Sequence, residues 1–492
     1  MALTISGQVT FDRLATTPAG LASTPTVLPA SLVVIEVVRH NNINAVVGTT
    51  TTDAVGNYSI NLNLDHDFYV RARAQSGTGP DIDRVYHQRT APLIVHAQCG
   101  PILQRASGSQ TANLHAAFTL PENRAGAFAV LDTAQRLRAS ALPSFASLGP
   151  LDFLWCTGES KATGTDEVGP NGRPAIYLLG GTLANATNTD HDEFDEGVIC
   201  HEWASFLQLT QSRDNNFGGV HAGEELLFTA SYSEGVVTAI GCALLDLRVY
   251  RDTVGYPGGS TSVQFEFDLE SGTIPGSGTG YGNEFRNSRA VWDLLDGAAG
   301  APTDTDGDPV AITPANFLAS FAALAVRGAP YEICWLASLL QQLIDDGFLN
   351  QTDANTLMTG QGAAFPPAGG ADPFPAELLV GGPAQTGSLN AFAGANPILG
   401  PDANGVFRLT LATPASITIN LANTTTGYTP AGHRLELSVH DLDRNVLALA
   451  DGNNQNKSVT VGLAAGTYLV RVQHRPDGVA TSALTDFSVT VP

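Results

Sequence analysis

Residues 190–209 read Asp190-His191-Asp192-Glu193-Phe194-Asp195-Glu196-Gly197-Val198-Ile199-Cys200-His201-Glu202-Trp203-Ala204-Ser205-Phe206-Leu207-Gln208-Leu209. The first half carries an acid at almost every position and reads as a loop. The second half is apolar at helical spacing, with His201 and Glu202 set into it. Just upstream, Ala175–Gly181 (AIYLLGG) is a short apolar run bounded by glycines and reads as a strand. The order is therefore strand, acidic loop, helix. Trp203 and Phe206 are read as core side chains, because such a helix must bury one face.

Outward from this segment the pattern stays mixed. Residues 122–142 (ENRAGAFAVLDTAQRLRASAL) place Phe128, Leu131, Ala134 and Leu137 on one helical face, with an acid and a proline before it. Further helices are predicted over 224–245, 288–295, 314–326 and 330–345, and Leu151–Cys156 (LDFLWC) reads as a strand. Before residue 120 the chain is short alternating strands with turn chemistry between them, as in SLVVIEVVRH and DFYVRARAQ. Around 360–385 the composition turns to Pro and Gly (GQGAAFPPAGGADPFP), which continues neither period and reads as a linker. Beyond it, VFRLTLATPASITINL, HRLELSVHDL, KSVTVGL and GTYLVRVQHR alternate again. At 492 residues the chain exceeds one core.

Composition narrows the function classes. A formal net charge of -23 repels DNA, RNA and anionic lipid, so no nucleic-acid partner is expected. No run reaches the roughly 18 apolar residues of a membrane span. No targeting signal is visible in MALTISGQVTF, and an extracellular place reached by a non-classical route is favoured over the cytoplasm. The five cysteines are widely spaced and form neither a zinc knuckle nor a disulfide framework; they read as buried free thiols. Asp304-Thr305-Asp306-Gly307-Asp308 has the alternate carboxylates of the opening of a calcium loop. It lacks the distal glutamate, and is read as a solvated acidic turn. No G-x-S-x-G elbow or phosphate loop accompanies a suitable strand and helix.

His201-Glu202-Trp203-Ala204-Ser205 stands where a zincin helix carries H-E-x-x-H, two histidines one turn apart on zinc with the glutamate as general base. Four further segments follow a family order: Ile176-Tyr177-Leu178-Leu179-Gly180-Gly181, Asp192-Glu193-Phe194-Asp195, Gly218-Gly219-Val220-His221 and Ser233-Glu234-Gly235. With weaker extensions in VYRDTVG, FEFDLESG and VWDLLDG, the stretch 121–346 resembles bacterial zinc metallopeptidase-like proteins of the gluzincin type with an H-E-W-G-H motif. The segment Thr52–Ile60 resembles the turn and strand of carboxypeptidase-regulatory, transthyretin-like domains. There Gly56 would provide the turn, with Tyr58 and Ile60 facing inward.

The fold class so implied is multidomain α+β. It comprises an N-terminal β-sandwich (1–120), a central zincin-like metallopeptidase domain (121–359), a Pro/Gly linker (360–385) and a C-terminal β-sandwich of pre-peptidase C-terminal type (386–492). By the resemblance, His201 and Glu234 would be metal ligands and Glu202 the catalytic base. Ser205 replaces the second histidine, so zinc would bind weakly or not at all, and the chain reads as a degenerate peptidase. Its partners would be a peptide or protein, or further copies in a self-assembled particle or filament. The alternative is an active zinc endopeptidase with a substitute ligand, His221 first among the candidates, ahead of His191, Asp192 and Asp195.

Overall fold

Leu3, Ile5, Val9 and Phe11 alternate with polar residues, and in a computed structural model of the chain all four are buried on the long strand Ala2–Arg13. The structure describes residues 2–492 apart from 78, 80, 88–91, 106–107, 120–122, 160–161, 182–189, 219–220, 222–224, 256–260, 277, 279, 299–301, 306–307, 309, 330, 368–371, 373, 391–403 and 475–483. Gly219 and Val220 of the Gly-Gly-x-His turn, and Asp306 and Gly307 of the acidic turn, thus lie outside the described residues. The fold is mixed α/β and strand-rich, with several separate sheets. It divides into two compact units: Met1–Gln211 with Ile240–Leu269, and Ser212–Ala239 with Glu270–Pro492.

In the first unit, Ala2–Arg13 pairs antiparallel with Asn57–Asn63 and Thr26–Pro29, and parallel with Gly108–Thr111 and Leu114–Ala116. Gly56 closes the turn before Asn57–Asn63 at φ +79°, where a Cβ would meet the Val9 carbonyl oxygen at 2.5 Å, so only glycine fits. Tyr58 is buried and its hydroxyl donates to the Ala112 carbonyl, while Ile60 is half-buried. A second sheet runs in the order Gly164–Asp166, Ala175–Tyr177, Leu151–Leu154, Asp83–Tyr86, Phe68–Ser76, Val33–Arg39, Val46–Thr51. Leu151–Leu154 lies parallel to Asp83–Tyr86. This sheet therefore runs through the expected boundary at residue 120, because strands from both sides of it share one ladder.

Helix α1 (Arg124–Ala141) covers that sheet with Phe128, Leu131, Ala134 and Leu137, all buried as their spacing predicts. Asn123 caps it, accepting from the Gly126 amide from a left-handed backbone of φ 31°. Gly126 must be glycine, since a Cβ there would lie 2.6 Å from the Trp155 ring. His96 lies against the same tryptophan, its Nε2–H donating to the Trp155 carbonyl at 2.9 Å. Burial lowers its pKa to about 4, helped by nearby His87 and Arg124. A histidine held neutral in the fold contributes stability above its unfolded value near 6.5, and that stability is lost as pH falls toward 4. Unfolding midpoints should therefore drop over this window and drop less in His96→Gln; parallel acid limbs for the two proteins would count against it.

Helix α2 (Glu196–Gln211) follows the acidic loop, and helix α3 (Phe228–Leu244) runs from the second unit into the first. The second unit holds α4 (Glu284–Leu295), α5 (Pro314–Ala323), α6 (Leu336–Asp345) and α7 (Gln351–Gly360), and both Trp292 of α4 and Trp335 before α6 are buried. The predicted helices at 224, 288 and 330 begin at 228, 284 and 336 instead. In α4 the cap decides, as Asn283 accepts from the Arg286 amide at 2.9 Å. Helix α7 was not predicted; its polar sequence hides the Asn350 cap on the Thr352 and Asp353 amides.

Two sheets, of five and four strands, close the second unit as a β-sandwich around Leu409, Ile419, Leu437, Val470 and Val489. The described part of the Pro/Gly stretch is docked in this unit rather than strung as a tether. Asp372 is buried and pairs with Arg408 at 3.1 Å, and Phe374 packs on Phe228 and Trp335. Of the cysteines, Cys200, Cys242 and Cys334 are buried, while Cys99 is exposed and Cys156 half-buried. Among the described residues no helix is long and apolar enough to cross a membrane.

Candidate functional site

Helix α2 places His201, Glu202 and Ser205 in the first unit. Its other face explains why it sits there: Trp203, Phe206 and Leu207 are buried. At Gly241 of α3 a Cβ would meet the Cys200 carbonyl oxygen at 2.2 Å, so backbone touches backbone there. Glu202 is mostly buried and accepts from the Thr165 hydroxyl at 2.6 Å, the same hydroxyl lying 2.9 Å from the Glu202 carbonyl oxygen. His201 is half-buried. Ser205 turns its hydroxyl back along the helix, donating to the His201 carbonyl at 3.1 Å.

A catalytic zinc needs three protein ligands and an open position for water. A zincin helix supplies two of them one turn apart; this one supplies a single imidazole and a neutral hydroxyl bonded to its own backbone. Helix α2 by itself does not supply the two imidazoles of a catalytic zinc site of this kind.

Glu234 and His221 lie in the second unit. Glu234, half-buried on α3, accepts from the Asn216 amide at 2.8 Å. His221 sits between two carboxylates, with Nε2 3.3 Å from Glu234 and Nδ1 2.5 Å from Glu284. Burial alone would lower its pKa, but hydrogen bonds and charge from Glu234 and Glu284 outweigh that and raise it to about 11. His221 is thus held between Glu234 and Glu284.

The acidic loop splits into two roles. Glu193 is fully buried and structural: it accepts from Asn123 at 2.7 Å, Trp155 Nε1 at 3.1 Å and His191 Nδ1 at 2.9 Å. His191 is likewise fully buried, its raised pKa following from Glu193 and Asp192 against the opposing effect of burial. The other acids gather. One carboxylate oxygen each from Asp190, Asp192, Asp195 and Asp252 lie within 4.8 Å of one another, close enough to hold a cation together. Asp192 is held by the Thr163 hydroxyl and the Leu179 amide, and Asp195 by the Thr253 amide at 2.7 Å. Burial and the charge of Asp192 push Asp252 up to about 7. Burial and the charges of Asp192, Asp252 and Asp195 raise Asp190.

Asp252 and Glu284 escaped the sequence reading. Asp252 belongs to the strand Val249–Gly255, whose VYRDTVG is only a weak extension of the resemblance. Nothing in the sequence tied Glu284 to His221.

No family model and no curated protein matches the chain. Among solved structures it is similar to the pre-peptidase C-terminal domain of a collagenase from Bacillus anthracis, at 17% identity and TM-score 0.17, over 24% of this chain and 90% of that one. A family 35 carbohydrate-binding module from an environmental isolate matches at 20% identity and TM-score 0.14, over 21% and 77%. The carbohydrate-binding module CBM36, in complex with calcium and xylotriose, matches at 11% identity and TM-score 0.14, over 23% and 93%.

Proposed function

We propose that the chain is a degenerate metallopeptidase-like protein that works by binding or assembly rather than by zinc catalysis. In this reading residues 121–359 are zincin-like, and the flanking strand-rich segments are accessory modules of transthyretin-like and pre-peptidase C-terminal type. The Ser205 hydroxyl, which donates to the His201 carbonyl at 3.1 Å, carries the reading, because the place of the second imidazole then offers a metal only a neutral hydroxyl, a poor substitute.

For the assembly part, the supporting surface is the edge strand Val446–Ala450. Val446, Leu447 and Leu449 are exposed on it, and among the described strands it forms ladder pairs with Leu435–His440 alone. An exposed apolar edge is a template for pairing with another copy or an extended peptide.

The test is elemental analysis of zinc in purified protein beside His201→Ala, with cleavage of a mixed peptide pool measured on the same samples. The expected outcome is far less than one zinc per chain in both proteins and no cleavage. One zinc per chain that disappears in His201→Ala, together with cleavage lost in Glu202→Gln, would replace this reading by an active zinc endopeptidase.

A further inference from the structure

Asp296 is a carboxylate in a place where carboxylates are unstable. It is 1% exposed, and both its oxygens are buried without any hydrogen-bond donor. It also stands at the C-terminal end of α4, its own amide donating to the Trp292 carbonyl at 3.0 Å, where the partial charge of the helix is negative. A buried anion in such a position requires a positive partner or a proton.

More acids converge on it instead. One carboxylate oxygen each from Glu270, Asp296 and Asp304 lie within 4.8 Å of one another. Two oxygens on one Ca²⁺ at about 2.3–2.6 Å are at most about 5 Å apart, so the three fit one ion. The chain is built to hold them there. Gly297, at φ +68°, donates to the Pro302 carbonyl at 2.8 Å, and a Cβ on it would press Asp304 at 3.1 Å. Glu270 is kept ionised: burial works against its charge, but Thr305, through amide and hydroxyl at 2.6 Å each, and Trp292 Nε1 at 2.7 Å hold its pKa below the usual value. Glu270 and Asp308 also line a cavity of about 310 Å³. Arg289 lines the same cavity and donates to the carbonyls of Ser271 and Gly272.

We propose that Glu270, Asp296 and Asp304 form a binding site for a hard divalent cation, Ca²⁺. Oxygen-only ligands of this charge suit calcium rather than zinc. The site gives a function to Asp304 of the acidic run, with Glu270 and Asp296 supplying from elsewhere in the unit the carboxylates that the linear motif lacks. Burial, the charge of Asp308, a side-chain hydrogen bond and charge from Glu270, and the charge of Asp293 raise the Asp296 pKa to about 9. The site lies wholly in the second unit, apart from the four-aspartate cluster of the first.

The test is calorimetric titration of the chelator-treated full chain with CaCl2 and, separately, MgCl2, alongside Asp296→Asn, Asp304→Asn and Asp252→Asn. Circular dichroism confirms that each variant is folded. Saturable calcium binding is expected, weakened more than about tenfold by either Asp296→Asn or Asp304→Asn and kept in Asp252→Asn. Calcium should also raise the melting temperature of the wild-type chain. If Asp296→Asn does not fold, the half-buried Asp304 carries the comparison. The proposal is overturned by absence of saturable binding at millimolar calcium or by a preference for magnesium. Binding that survives Asp304→Asn, or that is lost only in Asp252→Asn, overturns it too.

Discussion

Arg138→Leu should destabilise the first unit by about 3–5 kcal/mol, the cost of leaving a buried charge without its partner. The stranded group is Asp83, which is fully buried at the start of the strand Asp83–Tyr86. Arg138 of α1 donates to it through Nε at 3.0 Å and again through Nη2, a bidentate pair that ties the helix to the sheet beneath. Burial raises the Asp83 pKa even with the arginine present, so without it the carboxyl would have to take up a proton or the helix lift away. Urea unfolding reads the loss directly. The double change Asp83→Leu/Arg138→Leu should recover most of it, because an apolar pair of similar volume removes both desolvated charges. A single-variant loss below about 1 kcal/mol, the value of a surface pair, would show that the pair is solvated.

Glu193→Ala is expected to be of similar size, about 3–5 kcal/mol. It deserts three buried donors at once: the Asn123 amide, the Trp155 indole and the His191 imidazole. Asn123 caps α1 and Trp155 follows the strand Leu151–Leu154, so one carboxylate joins helix, strand and acidic loop. Glu193→Gln keeps two acceptor lone pairs but adds an amide donor with nothing to meet, and should fall between wild type and Glu193→Ala. Equal stability of the Ala and Gln variants would mean that the carboxylate charge, rather than the count of donors, is what matters. Wild-type stability in both would remove Glu193 from the core network altogether.

Glu193 also shows where reading a motif goes astray. Asp192-Glu193-Phe194-Asp195 stands out in the sequence for its place in a family order, and as a string it does not distinguish a ligand from a strut. In the structure its members diverge, Glu193 facing the α1 cap and Trp155, Phe194 fully buried, and Asp192 and Asp195 turned to the acidic cluster. Period alone predicted α1, because Phe128, Leu131, Ala134 and Leu137 are local in the chain and fall on one face. It failed at α7, whose polar residues carry no such stripe, and its start rests on a single side-chain cap.

The alternation of LELSVH and TYLVRVQ determined strands, and the turn at Gly56 determined its own φ, since those depend on neighbours within a few residues. The Ser205 substitution was equally legible, being a matter of residue identity. Tertiary structure alone decided that His221 pairs with Glu234 and Glu284, and that Asp252 joins Asp190, Asp192 and Asp195. It likewise decided that a carboxylate at the end of α4 meets Glu270 and Asp304. Each of these joins residues that other elements carry together, and electrostatics at a few ångströms depends on where folding brings charges, a distance that sequence separation does not encode.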